Sequence, residues 1–228
     1  MVTNLKSRYM RRYVLILFVL MAGVLQAQIS PEVKTVVKNC ADKMHNPAGV
    51  EMNMRLNVKA LAVISVNGTI KMYMKGEKSL AKMRMKILGR DIRTETGFDG
   101  KQMWVYKPAV EEGDKDTLII MEPTAKERGE FEMDFDLYNE YRKAKMKEKE
   151  GRYEITFTDP IDKNMPKKTV MVINKSDHTF YEMAVKDGAT GFTMTATNIK
   201  FGVEDGMFSL DSKRYQDAVT VHRSSGER

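Results

Sequence analysis

From Val50 onward, apolar and polar residues alternate with a period of two. Met52, Met54, Leu56, Val58 and Ala60 hold one parity, and Glu51, Asn53, Arg55, Asn57 and Lys59 hold the other. That pattern predicts a strand with one buried and one wet face. Asn67 and Gly68 predict a hairpin turn, after which Ile70, Met72 and Met74 alternate with Lys71, Tyr73 and Lys75. Met83, Met85 and Ile87 then alternate with Lys82, Arg84 and Lys86, and Asp99 with Gly100 predicts a hairpin between residues 93–98 and 101–107. Further strands are predicted from Tyr153, Ile155 and Phe157 and over residues 169–173, 180–186 and 192–201, with Asp187 and Gly188 as a turn. In the last of these the apolar parity moves from Phe192, Met194 and Ala196 to Ile199 and Phe201, which predicts a bulge near Thr197 and Asn198.

Helical spacing occurs ahead of the strands. Ser30, Pro31 and Glu32 supply a capping hydroxyl, a proline suited to the first helical position and an acid at the positive dipole end. Val33, Val36, Val37, Cys40 and Met44 follow as one apolar stripe, ended by Asn46, Pro47 and Gly49. Residues 123–150 interrupt the strands. Phe131, Phe135, Leu137 and Tyr138 lie there among many charges and predict short amphipathic helices over the sheet, with residues 142–149 as a solvated mixed-charge stretch. The expected fold class is α+β: one large curved antiparallel sheet of about eleven strands with helices on one side.

Three successive strands carry a methionine doublet: Met52 and Met54, Met72 and Met74, Met83 and Met85. Residues two apart share a face, so six thioethers form one patch. Phe192 and Met194 continue the apolar parity on the last long strand and are assigned to the same lining. Methionine is flexible and polarizable, which suits a surface that accepts ligands of varied shape, including lipid chains. A core simply filled with methionine is the competing reading. Trp104 and Tyr106 share one face of their strand and Met103 and Val105 the other; Trp104 and Tyr106 are assigned to the lining, with hairpin core as the alternative.

Composition narrows the function. The chain has 228 residues, 42% hydrophobic and 30% charged, with 19 Met, three His and one Cys. So few soft ligands exclude zinc ribbons and disulfide scaffolds, and no metal or cofactor is expected. The formal charge of +7 is unevenly placed: Lys6, Arg8, Arg11 and Arg12 precede a nearly all-apolar stretch over residues 13–25, then Gln26 and Ala27. That layout predicts a signal peptide over residues 1–27, leaving a single domain over 28–228. The remainder would carry 34 basic against 31 acidic side chains, so nucleic acid is not an expected partner. Cys40 lies too far downstream for lipidation, and a soluble exported monomer is expected. No catalytic motif is present: His45, His178 and His222 are isolated, and Glu111, Glu112, Asp114 and Asp116 read as a solvated loop. The expectation is a binding protein, not an enzyme.

The run Asp99, Gly100, Lys101, Trp104, Tyr106, Pro108, Val110 and Glu111 resembles the hairpin signature of LolA, the periplasmic carrier family for outer-membrane lipoproteins. Pro123, Thr124 and Glu127 resemble the start of that family's lid helices, and Phe208, Tyr215, Val219, Val221 and Arg223 its closing segment. The resemblance implies an incomplete β-barrel closed by a helical lid, in the periplasm. Its hydrophobic cavity would take lipoprotein acyl chains from an inner-membrane transporter and pass them to an outer-membrane acceptor. Two departures stand out: Lys75, Gly76, Glu77 and Lys78 replace the early Arg-Pro pair of some members, and Thr94, Glu95 and Thr96 make an aromatic-rich strand polar. A periplasmic sensor of envelope stress that binds lipoprotein is the second function the resemblance allows.

Overall fold

The computed structural model describes residues 29–60, 64–87, 89–109, 113–124, 135–188 and 190–224. The expected signal peptide lies outside them, as does Phe131. Ser30 caps helix α1 (Pro31–Met44), its hydroxyl accepting from the Val33 amide at 3.3 Å. The predicted stripe, Val33, Val36, Val37, Cys40 and Met44, is the buried side of α1. Burial pushes the Cys40 thiol up to about 12, so it behaves as a small apolar residue. None of the helices formed by described residues is long and apolar enough to cross a membrane.

Twelve strands follow among the described residues: β1 (Val50–Ala60), β2 (Ile64–Lys75), β3 (Lys78–Ile87), β4 (Arg90–Phe98), β5 (Met103–Lys107), β6 (Thr117–Met121), β7 (Tyr141–Lys149), β8 (Arg152–Pro160), β9 (Lys168–Asn174), β10 (Phe180–Asp187), β11 (Thr190–Phe201) and β12 (Val219–Arg223). They make one curved, unclosed sheet in the order β12-β6-β5-β4-β3-β2-β1-β11-β10-β9-β8-β7. Neighbours run antiparallel except β12, which returns parallel to β6. The joint between the halves is β1 against β11, where Thr197 is the extra residue between Asn53 opposite Asn198 and Met54 opposite Ala196. The expected bulge is there, and the Thr197 hydroxyl donates to the Asn53 carbonyl at 3.0 Å.

Two local expectations are corrected. Asn67 and Gly68 are not a turn: they sit inside β2, opposite Asn57 and Leu56. Gly68 is there for space, since a Cβ would lie 2.8 Å from Met85 Cγ and 2.7 Å from the Arg84 carbonyl oxygen. Residues 142–149 are not a free charged stretch but most of edge strand β7. Its turn to β8 places Glu150 (φ 51°) and Gly151 (φ 73°) both in the left-handed region, as a two-residue hairpin loop requires.

Apolar packing is split between the two faces. On one, α1 packs with Val50, Met52, Met54, Ile155, Phe157, Met171, Ile173, Phe180 and Met183. On the other, the segment after β11 brings Val203, Phe208 and Tyr215 onto Tyr73, Leu80, Trp104 and Leu118. Lys75 donates to the Val203 carbonyl at 3.0 Å, and Lys75 and Lys78 pair with Asp205 at 3.4 and 3.3 Å, tying that segment to the β2–β3 turn. Of the expected lid, the described residues hold one turn of 3-10 helix, Leu137–Asn139. Phe135 just before it is fully buried, edge-on to Phe180 at 5.6 Å and to His45 at 6.0 Å, and Leu137 is buried in the same cluster with Tyr138 packed against it. Phe135 and Leu137 therefore plug the core beneath α1.

Candidate binding site

Register decides which side chains share a face, because residues directly opposite in antiparallel strands point the same way. Met52 faces Met72 and Ile199; Met54 faces Ile70 and Ala196; Ile70 faces Met83; Gly68 faces Met85; Val50 faces Met74. Met194 faces Leu56 and Phe192 faces Val58. All three doublets, with Phe192 and Met194, thus lie on the α1 side. One continuous row crosses nine strands: Met146, Ile155, Met171, Met183, Met194, Leu56, Gly68, Met85 and Ile92.

Burial along this face is graded. Met52, Met54 and Met171 are sealed under α1 at 0–1% exposure. Met72, Met74, Met146 and Met194 pack against that cluster while partly open, and Met83 and Met85 on β3 are half-buried. The row offers a flexible apolar strip that is solid core beneath α1 and accessible toward β3. Met146, Met171 and Met183 were not singled out from sequence; each has the parity of apolar neighbours within its strand, and that is the signal that finds them.

Trp104 and Tyr106 do not join this lining. Trp104 faces Gly97 and Ile120 on the opposite side of the sheet, and a Cβ on Gly97 would fall 2.1 Å from the Trp104 ring. Glu95, in sequence only a departure from an aromatic pattern, is buried there. Its carboxylate accepts from the Tyr215 hydroxyl at 2.5 Å and from Arg214 at 2.8 Å, with Lys82 at 3.7 Å. Burial and that carboxylate push the Tyr215 phenol up. Tyr106 stacks on Tyr215 with ring centroids 5.0 Å apart and donates to Asp116, which holds its phenol up at about 12. Asp116, read from sequence as solvated, also accepts from the Ala109 amide at 2.8 Å and so closes the β5–β6 connection. Among the described residues no group of three His, Cys, Asp or Glu side chains is placed to hold a metal ion.

No sequence-family profile and no curated protein matches the chain by sequence. Solved structures do match in fold. An uncharacterized conserved protein from Thermus thermophilus is similar with a TM-score of 0.52 at 12% identity, over 84% of this chain and 99% of that one. A LolA superfamily protein from Nitrosomonas europaea is similar at a TM-score of 0.40 and 12% identity, over 78% and 97% of the two chains. The lipoprotein LppX of Mycobacterium tuberculosis is similar at 0.47 and 12%, over 77% and 99%. The likeness is one of fold: a broad sheet that curves without closing.

Proposed function

We propose that the protein is a periplasmic carrier that holds the acyl chains of lipoproteins against its methionine face and moves them from an inner-membrane transporter to an outer-membrane acceptor. The carrying observation is the graded burial of the methionine face, closed under α1 and half-open at Met83 and Met85. An acyl chain laid on the open end gains burial at roughly 25 cal/mol per Å² of apolar surface removed from water. Thioether side chains with three rotatable bonds adjust to chains of different length and branching, so cargo of varied acylation fits without a fixed mould. The sequence run from Asp99 to Glu111 supports the reading by its resemblance to the LolA signature. Sensing of lipoprotein would use the same face.

Native mass spectrometry of protein isolated from the periplasm tests the proposal. Co-purifying acylated species are expected on the wild type and lost in Met85→Glu, which places a charge on the open end and spares the sealed core. A wild type free of adducts, with unchanged binding of a fluorescent fatty-acyl probe in Met85→Glu, overturns it.

A further inference from the structure

The face opposite the methionines carries a groove of about 730 Å³, within the size range of small-molecule sites. Six cationic side chains line it, Arg55, Lys71, Lys82, Arg84, Arg93 and Arg214, with Glu95 as the lining acid. Register stacks them: Arg55 faces Thr69, Thr69 faces Arg84, and Arg84 faces Arg93, so one row across four strands holds three guanidiniums. In the next row Lys71 stands opposite Lys82. Like charges directly opposite on a sheet destabilise it, so this array works against the fold.

Compensation is incomplete. Asp91 takes Arg84 at 2.6 Å and Arg93 at 3.1 Å, Glu51 takes Lys71 at 3.1 Å, and Glu95 takes Arg214 at 2.8 Å and Lys82 at 3.7 Å. Arg55, exposed at the groove, makes no ion pair among the described residues. Thr69 is short, which leaves room between Arg55 and Arg84. The wall beyond is rigid, because Glu95 fixes both Arg214 and Tyr215.

We propose that this groove binds a phosphate group, as a monoester or diester, between Arg55 and the Arg84 and Arg93 pair. A carboxylate presents its oxygens in one plane, as Asp91 does to Arg84 and Arg93, whereas a tetrahedral phosphate presents oxygens in several directions and takes forks from arginines on different strands. Phospholipid headgroups and free phosphate esters share that chemistry. The site is separate from the acyl-binding face, so Met85→Glu should leave it intact.

Two measurements on the mature chain test this: NMR titration of the arginine side chains with inorganic phosphate, and co-sedimentation with phosphatidylglycerol–phosphatidylcholine vesicles against phosphatidylcholine alone. Arg55→Gln should weaken binding roughly fivefold, the worth of one basic residue at an anionic surface. Lys163→Gln, an exposed lysine away from the groove, should not change it. Soluble phosphate that titrates the groove and competes with vesicles identifies a free ester site; vesicle binding without soluble phosphate binding identifies a headgroup site. Both support the proposal. It is overturned if neither probe binds, if Arg55→Gln matches the wild type or Lys163→Gln, or if acetate binds as well as phosphate.

Discussion

Met52 and Met85 sit on the same face of the same sheet and follow the same alternation, yet one is sealed and the other half-open. The difference is what lies above them. Over β1, the stripe of α1 and Phe135 fill the space, so Met52 and Met54 are core in the full sense. On β3, two strands away, Met83 and Met85 keep the same direction without being sealed. One residue pattern thus serves both stability and access, and strand parity by itself does not separate the two roles.

Four measurements bear on that contrast. Phe135→Ala should cost the most, about 3–5 kcal/mol, because it empties a fully buried site between His45 and Phe180. Urea unfolding would read it, and a cost below about 1 kcal/mol would mean the space above β1 is less filled than described. By the same method Met52→Ala should lose about 2–5 kcal/mol and Met85→Ala less than about 1 kcal/mol. Equal costs at the two positions would erase the contrast. Mild peroxide followed by peptide mapping should convert Met83 and Met85 to sulfoxide well before Met52 and Met54; simultaneous oxidation would place all four in one environment.

The smallest expected effect is from acid. Asp91 is held at about 2 by its hydrogen bonds to Arg84 and Arg93 at the β3–β4 hairpin. Its folded pKa lies below the unfolded value of about 3.9, so its contribution is present above about pH 4 and fades as pH falls toward about 2. Protection against amide exchange in β3 and β4, measured relative to the intrinsic rate at each pH, should therefore fall slightly on acidification in the wild type and not in Asp91→Asn. An identical response in both would remove Asp91 from the account of the open end.

Much of this was legible from sequence where the local signal was strong. Ser30-Pro31, the doublets, the Asp99-Gly100 hairpin and the Thr197 bulge rest on interactions within a few residues or on strict parity. What failed has physical reasons. Glu150 in the left-handed region is an unusual turn residue, so β7 carried no hairpin signal, and its lysines belong to a solvent-facing edge. Gly68 answers a neighbour on β3, not a turn. Trp104 depends on Gly97, and Glu95 on Tyr215, which is 120 positions away; no window on the sequence brings such pairs together. Aromatic character at Trp104 and Tyr106 is shared by core and lining alike.

The seam between β1 and β11 governs how the chain reaches its native state. Thr197 meets Asn53 across 144 positions of sequence, and β12 must still return to β6 afterwards. Each half can form its own hairpins early, but the central pairing waits for distant segments to meet, and topologies rich in such long-range contacts fold slowly. Until the seam closes, β1 and β11 expose unpaired strand edges, the surfaces on which unfolded copies aggregate. Refolding yield should therefore fall with protein concentration more steeply than for the separate hairpins.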